Sequence, residues 1–293
     1  MTRVVNAMTV DVEDYFHASA YDRVVSRSSW AGRDSRVVKN TETLLESFDQ
    51  AGVHATFFVL GWVAERFPQL VRDIADRGHE IASHGFHHQL IYLLTPDQFR
   101  EDVRRAKATI EEAAGCTVRG YRAPSFSIVR DSLWALDVLI EEGHSYDASI
   151  FPIRHHRYGI ADAPRQAHRI DTPSGSIAEV PSSTVRLGQH NMPIAGGGYF
   201  RLLPYAWTRW GMARLNDAGE PAVFYIHPWE IDVDQPRLPV GRLTALRHYG
   251  GLDRTLGRLE ILCKDFSFNT VSAMLAARPV ASVPAAARLA HAG

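Results

Sequence analysis

The sequence predicts an α/β fold built on a parallel sheet, closed or open, within a single domain. Short apolar strands alternate with amphipathic helices along most of the chain, and a glycine follows most of the helices. No low-complexity linker divides the 293 residues. Hydrophobic residues make up 45% and charged residues 22%, which is globular composition and excludes a disordered, collagen-like or coiled-coil chain.

Each element follows from its local pattern. Four short apolar runs predict buried strands at residues 4–12, 55–60, 80–83 and 222–226. Helical periodicity predicts helices at residues 41–51, 68–77, 96–114, 131–142 and 207–218. Each of these helices is followed within two residues by a glycine, which accepts the left-handed conformation that commonly ends a helix. Thr95 and Pro96 form an N-cap and first-turn pair for the third helix.

Two regions depart from this rhythm. Residues 154–203 show loops and little helical period, and we interpret them as an elaboration near the site, within a domain that covers residues 1–277. Their three consecutive glycines, residues 196–198, lack the Lys-Ser/Thr that a phosphate-binding loop requires, so a flexible turn is the better interpretation. Residues 278–293 are rich in alanine and proline and predict a flexible tail.

Charge and composition exclude several partners. A net charge of -1 provides no global field to attract nucleic acid or an acidic membrane, which leaves a local charged patch as the alternative. No apolar run reaches the roughly 20 residues of a membrane span. Carboxylates begin at Asp11 and leave no room for a secretory apolar segment, so we expect a cytoplasmic protein, with a lost leader as the alternative. The two cysteines form no CxxC pair and fit a reducing compartment. The sequence does not predict an oligomeric state.

Acidic residues and histidines follow two of the predicted strands. Asp11, Glu13 and Asp14 lie at the carboxyl end of the first strand, where parallel α/β proteins place their sites. His84 and His88 follow the strand at residues 80–83, and a helical turn there would put both imidazoles on one face. One carboxylate with two imidazoles makes a metal site that leaves a position open for water or substrate. The alternative is a solvated acidic loop beside ordinary histidines.

Three later segments add candidates. Arg122, in Gly-Tyr-Arg-Ala-Pro-Ser-Phe, can hold a carboxylate ionised or form a structural ion pair. Asp147 ends another short strand. His227 ends the strand at residues 222–226 and is a candidate general acid, and Trp229 offers a ring on which a sugar can stack.

In this order the segments resemble the five motifs of the polysaccharide deacetylases, carbohydrate esterase family four, from about Thr9 to Trp229. The resemblance implies a distorted barrel of parallel strands and helices and a divalent metal, usually zinc, with cobalt, nickel or manganese as alternatives. It also implies an N-acetylated glycan as the substrate, from whose amino sugars the N-acetyl groups are hydrolysed. The run Asp-Val-Glu-Asp-Tyr-Phe is most similar to a branch that accompanies bacterial exopolysaccharide assembly.

The resemblance also implies roles for the first two motifs. Asp11 is expected to be the general base, and Asp14 the metal ligand beside His84 and His88, with Glu13 as the alternative to Asp14. The family usually has two adjacent aspartates in the first motif, whereas here Val12 follows Asp11. Gly85 stands where the family usually has a serine or threonine, and a hydroxyl that would orient the loop is therefore missing.

The remaining roles concern the leaving group and the glycan. Arg122 is expected to hold Asp11, His227 to protonate the departing amine, and Asp147 to hold the His227 ring. The expected substrate contacts are Tyr121, Pro124, Phe126 and Trp229, and the loop from Tyr121 to Phe126 is expected to supply a backbone donor for the oxyanion. Two other classes stay open: another amidase on this scaffold, such as a ureide or formyl-sugar hydrolase, and a non-catalytic glycan-binding relative.

Overall fold

One large, mostly parallel sheet with helices packed against it forms the fold. It is seen in a computed structural model that describes residues 4–18, 21–22, 24–155, 157–278, 280 and 282–284. The predicted α/β class, the parallel strands and the single domain are confirmed.

The strands follow the predicted positions closely and add several short ones. They are β1 Val5–Val12, β2 Thr56–Val59, β3 Glu80–Ser83, β4 Gly120–Tyr121, β5 Tyr146–Asp147, β6 His168–Thr172, β7 Gly175–Glu179, β8 Thr184–Leu187, β9 His190–Pro193, β10 Val223–Ile226, β11 Ser267–Asn269 and β12 Ser282–Pro284. The sheet order is β10-β1-β2-β3-β4-β5-β7-β6-β12, and β11 pairs with the start of β1. Within this sheet β6 and β7 pair antiparallel, and the other pairs are parallel.

The helices cover the faces and ends of this sheet. They are α1 Val37–Ala51, α2 Gly61–Arg66, α3 Pro68–Asp76, α4 Pro96–Ala114, α5 Ala135–Glu141, α6 Gly197–Leu202, α7 Tyr205–Asp217, α8 Arg242–Tyr249, α9 Leu252–Asp265 and α10 Val271–Ala276. The predicted limits of α4 are confirmed, because Thr95 Oγ1 accepts a hydrogen bond from the Gln98 amide and Gly115 adopts φ +69°. Helix α5 is shorter than predicted, because a 3₁₀ turn occupies Arg130–Ser132.

Both faces of the sheet are buried. Val10, Phe57 and Ile81 belong to the core cluster under the helices. Ala7 and Phe58 belong to a separate cluster on the opposite face. Burial on both faces of a parallel sheet is consistent with the distorted barrel that the family resemblance implies.

The ends of the parallel strands determine where the site forms. Val59 pairs with Ser83, Ser83 with Tyr121, and Tyr121 with Asp147, each at the last residue of its strand. The residues that follow β1, β2, β3, β4, β5 and β10 therefore meet along one edge, which is where parallel sheets carry their sites.

The segment of residues 154–203 contains more regular structure than loops alone. The hairpin of β6 and β7 extends the large sheet, while β8 and β9 form a separate two-stranded sheet that precedes α6. In the predicted tail, residues 282–284 form β12 beside β6, and residues 285–293 lie outside the described residues. Among the described helices, none has both the length and the apolarity to cross a bilayer.

Candidate active site

Three buried side chains come together at the strand ends as a candidate metal centre. Glu13, His84 and His88 offer one carboxylate oxygen and two ring nitrogens that all lie within 4.8 Å of one another. The closest approach is 2.8 Å, between His88 Nε2 and Glu13 Oε2. Two imidazoles and a carboxylate form the ligand set of an open zinc-type site.

The surroundings of these side chains fit a divalent metal. Glu13 Oε2 is buried and has one close polar neighbour, His88 Nε2 at 2.8 Å, so a carboxylate oxygen and a ring nitrogen face each other where a cation would bind both. His84 Nδ1 donates a hydrogen bond of 2.8 Å to the Arg122 carbonyl. This bond fixes the ring and leaves Nε2 as the nitrogen that can bind a metal. Burial lowers the pKa of His84 to about 4, so the imidazole is neutral and able to coordinate.

The loop that carries the histidines is not the helical turn that the spacing predicted. Gly85 and His88 both have positive φ, +73° and +50°, and the strand ends irregularly. Asp102 on α4 holds the loop by accepting hydrogen bonds from the amides of Phe86 (2.8 Å) and His87 (3.3 Å). A β-carbon at position 85 would lie 2.9 Å from Asp102 Oδ2. Asp102 thus takes over the orienting role of the missing hydroxyl, and sequence reasoning missed it because it reads as an ordinary polar position on α4.

Asp14, the expected ligand, is turned away from the histidines, and the alternative, Glu13, lies with them. The Asp14 carboxylate accepts hydrogen bonds from the Ser35 hydroxyl (2.6 Å) and from the amides of Tyr15, Arg36 and Val37. It therefore caps the first turn of α1 and holds the 3₁₀ turn that follows β1. Burial raises its pKa to about 6, and the hydrogen bonds offset only part of that effect.

Asp11 and Arg122 form a buried ion pair at the centre of the site. Arg122 Nη1 lies 2.7 Å from Asp11 Oδ1 and 2.8 Å from Thr9 Oγ1. Arg122 is fully buried, and its guanidinium lies over the Phe58 ring at 4.1 Å. The expected contact between Arg122 and Asp11 is therefore present, and it fixes the orientation of the carboxylate.

The His227 ring is held by Glu230 and not by Asp147. Glu230 Oε2 lies 3.0 Å from both the backbone nitrogen and Nδ1 of His227, while its Oε1 lies 2.6 Å from Arg201 Nε. His227 Nε2 faces the other acids, 3.7 Å from Asp11 and 3.6 Å from Glu13. Burial lowers the pKa of His227, but the carboxylates of Glu230, Glu13 and Asp11 together outweigh it and raise the pKa to about 9. The imidazolium is therefore the stable form at neutral pH.

Asp147 belongs to a different buried group. It lies opposite Glu179 in the pairing of β5 with β7, and its Oδ1 accepts a hydrogen bond of 2.5 Å from the Ser149 hydroxyl. Burial and the neighbouring charge of Asp147 raise the pKa of Glu179 far above its ordinary value, so the two acids share a proton. Sequence reasoning missed Glu230, although Glu three residues after His227 in a His-Pro-Trp-Glu run is a visible capping signal.

A cavity of about 860 Å³ opens over these groups. Of the predicted substrate contacts, Phe126 and Trp229 line it, whereas Tyr121 and Pro124 do not and lie buried behind it. Trp229 is not an open stacking face, because its ring stacks on His248 at 4.2 Å and its Nε1 donates to Glu13 over 3.1 Å. Sequence reasoning also missed Tyr158, which lines the cavity from the segment of residues 154–203.

Sequence models of two known families match different parts of the chain. A sequence model described as polysaccharide deacetylase matches residues 31–139, which include His84, His88 and Arg122. Residues 31–139 of the chain are therefore similar to the polysaccharide deacetylases. A second model, a domain of unknown function named DUF3473, matches residues 148–276, which include Arg201, His227 and Glu230. Asp11, on β1, and Glu13, directly after it, precede both matched ranges.

Curated relatives match about a third of the chain. The peptidoglycan-N-acetylglucosamine deacetylase of Bacillus cereus is 33% identical over 98 residues, which are 33% of this chain and 36% of that protein. The chitooligosaccharide deacetylase of Bradyrhizobium is 32% identical over 100 residues, 34% of this chain and 43% of that protein. The chain thus spans less than half the length of either relative.

Solved structures agree with the fold over nearly the whole chain. A Mycobacterium smegmatis structure assigned to the polysaccharide deacetylases covers 94% of this chain and 91% of its own, with a TM-score of 0.60 at 22% identity. The peptidoglycan deacetylase PdaC of Bacillus subtilis covers 93% of this chain and 90% of its own, with a TM-score of 0.51 at 15% identity. At these identities the likeness concerns the fold alone.

Proposed function

We propose that this protein is a metal-dependent hydrolase that removes N-acetyl groups from the amino sugars of a glycan. The observation that carries the proposal is the convergence of three groups on one cavity: the triad of Glu13, His84 and His88, the Asp11 carboxylate, and the His227 imidazole. Amide hydrolysis needs a Lewis acid, a base for the attacking water and an acid for the departing amine, and each group suits one of these tasks.

The metal ligands of the proposal are Glu13, His84 and His88. A divalent metal bound there, with zinc favoured by the nitrogen-rich ligand set and cobalt, nickel or manganese as alternatives, would polarise the acetyl carbonyl and acidify a water. Trp229 holds Glu13 through Oε1 and leaves Oε2 for the ion. Asp102 and the Arg122 carbonyl keep the histidine loop in place.

Asp11 is the proposed general base. Arg122 occupies Oδ1, so Oδ2 is the oxygen that remains to accept a proton from the attacking water. The proposed oxyanion donor in the loop from Tyr121 to Phe126 stays a prediction, because the amides of Arg122, Ala123 and Phe126 already donate within the protein.

His227 is the proposed general acid. An amine anion is a very poor leaving group, so the nitrogen must be protonated as the carbon–nitrogen bond breaks. Glu230 keeps the imidazole protonated at Nδ1, and Nε2 carries the proton that faces the cavity and can pass to the amine. Arg201 in turn keeps Glu230 ionised, because burial alone would raise the pKa of Glu230, and the guanidinium and the imidazolium lower it to about 2.

The substrate is proposed to be a polysaccharide or its oligosaccharide precursor, in the assembly of a bacterial exopolysaccharide. The run Asp-Val-Glu-Asp-Tyr-Phe on and after β1 supports this assignment, since it is the feature most similar to that branch of the family. The named activities of the relatives, on peptidoglycan and on chitooligosaccharides, support a glycan substrate of the N-acetylated class.

A substrate panel tests the proposal. Wild-type protein and the Asp11→Asn variant are incubated with N-acetylated chitooligosaccharides, an N-formyl amino sugar and a cyclic ureide, and the released acid or opened ring is measured. We expect acetate release by wild-type protein and its loss in Asp11→Asn. Turnover of only the formyl sugar or only the ureide would favour another amidase on this scaffold. Glycan binding without turnover of any compound would favour the non-catalytic alternative.

A further inference from the structure

Helix α8 has two different faces beside the cavity. Thr244, Arg247 and His248 line the cavity. On the other face, Leu243 and Leu246 are 61% and 62% exposed, which is unusual for large apolar side chains one turn apart. The proposed reaction uses neither leucine.

A third leucine extends this apolar surface. A β-carbon placed on Gly250 would lie 2.5 Å from the Leu246 carbonyl oxygen and 2.8 Å from Leu202 Cδ2. The end of α6 therefore lies against the end of α8, and Leu202 itself is 45% exposed. We call Leu202, Leu243 and Leu246 the leucine patch.

Within α8 and the segment that leads into it, the charged side chains are all positive. Residues 235–252 contain Arg237, Arg242 and Arg247 and no aspartate or glutamate, although the whole chain has a net charge of -1. All three arginines are exposed. The acids that flank this stretch are Asp234, which is exposed, and Asp253, which lies 3.7 Å from Arg254 and is offset by it. The patch is thus a local cationic region on a nearly neutral protein.

We propose that the leucine patch and its arginines dock the protein on the surface of an anionic lipid bilayer. Exposed leucines beside arginines are the combination that enters the headgroup region, because apolar side chains insert while guanidinium groups bind lipid phosphates. A second copy of this chain is disfavoured as the occupant, since a two-fold contact would bring the arginines of both copies together.

Vesicle co-sedimentation of the full chain tests the proposal without relying on activity. Phosphatidylcholine vesicles are compared with mixed phosphatidylcholine and phosphatidylglycerol vesicles at low and high salt. The test variants are the doubles Leu243→Ser/Leu246→Ser and Arg237→Gln/Arg242→Gln, which leave the cavity-lining Arg247 intact. The matched controls are Leu187→Ser/Met192→Ser on the hairpin of β8 and β9, where both side chains are 40% exposed, and Lys39→Gln/Arg186→Gln. Circular dichroism establishes that each variant is folded.

We expect wild-type protein to bind the anionic vesicles only, with weaker binding at high salt. Loss of the arginine pair should weaken the affinity for anionic vesicles about five-fold per residue, or roughly 25-fold together. Loss of the leucine pair should weaken it at least about ten-fold. The controls should bind like wild type. Three results would each overturn the proposal: no binding to anionic vesicles, binding that both test variants retain, or a concentration-dependent dimer that Leu243→Ser/Leu246→Ser abolishes.

Discussion

Glu13 and Asp14 are adjacent acids whose surroundings give them different tasks. Glu13 points into the cavity with one oxygen held by Trp229 and the other beside His88. Asp14 turns away and binds three amides and a hydroxyl at the start of α1. Backbone alternation after β1 therefore decides which acid faces the histidines, and residue type alone does not.

This difference predicts opposite effects of two conservative substitutions. Glu13→Gln should remove most of the bound metal while leaving the unfolding midpoint in the metal-free state nearly unchanged. Asp14→Asn should keep the metal but lose about 1–2 kcal/mol of stability, because it weakens a helix cap. Elemental analysis and urea unfolding of both variants distinguish the two roles. Full metal occupancy in Glu13→Gln would remove Glu13 from the ligand set.

His227 and Glu230 predict a dependence on the leaving group and on pH. Activity should fall as pH rises through the His227 pKa near 9, since the imidazolium is the proton donor. Glu230→Gln removes the carboxylate that raises this pKa, so the basic limb should move to lower pH. His227→Ala should cripple hydrolysis of an N-acetyl sugar and spare an activated phenyl ester, because a phenolate leaves without a proton. Equal losses on both substrates would exclude His227 as the acid.

The histidine loop and α4 act together at the scale of elements. Gly85 needs its positive φ, and Asp102 occupies the space where a side chain would go. Gly52, at the end of α1, also has positive φ but has open space around it. Alanine substitutions at Gly85 and Gly52 therefore separate two effects: the strain of a left-handed alanine, which both share, and crowding against Asp102, which occurs only at Gly85.

Gly85→Ala should therefore lower both stability and metal affinity, whereas Gly52→Ala should cost only about 1–2 kcal/mol, the ordinary penalty for a left-handed alanine. Isothermal titration with zinc and urea unfolding measure the two effects. Equal zinc affinity in the two variants would show that crowding against Asp102 does not hold the site.

Strand ends were predictable from the sequence, and side-chain partners across the sheet were not. The apolar runs before Asp11, His84 and His227 place these residues at strand ends, because parallel strands share a carboxyl edge. The partner of His227 depends on packing: Glu230 is three residues away, whereas Asp147, the residue expected, faces Glu179 across a strand pair that hydrophobic pattern does not reveal. Likewise, the short strands β6 to β9 lack the length that makes a periodic signal visible.

At the scale of the whole molecule, several buried histidines make the fold sensitive to acid. Burial lowers the pKa of His79 and His144 to about 4 and of His248 to about 3, so each is neutral in the native state. In the unfolded chain they take up protons below about pH 6.5. Stability should therefore fall as pH drops from 6.5 toward 4, because the unfolded state binds more protons.

Urea unfolding of metal-free protein at pH 7, 6 and 5 checks this trend. The free energy of unfolding should fall by up to about 1.4 kcal/mol per pH unit for each histidine. Asp14 and Glu179 reduce this slope, because their raised pKa values make the native state bind protons as the pH drops. His144→Phe should flatten the slope by removing one titrating group. An unfolding midpoint that is constant from pH 7 to 5 would contradict the account.

The central claim, that Glu13, His84 and His88 hold the metal on which amide hydrolysis depends, is tested most directly by a stoichiometric metal titration. Protein stripped with a chelator is titrated with zinc while acetate release from an N-acetylated chitooligosaccharide is followed. We expect negligible release by the stripped protein, a linear rise to one equivalent of zinc per chain, and no rise in the Glu13→Gln variant. Full acetate release by stripped protein, or none at one bound equivalent, would contradict it.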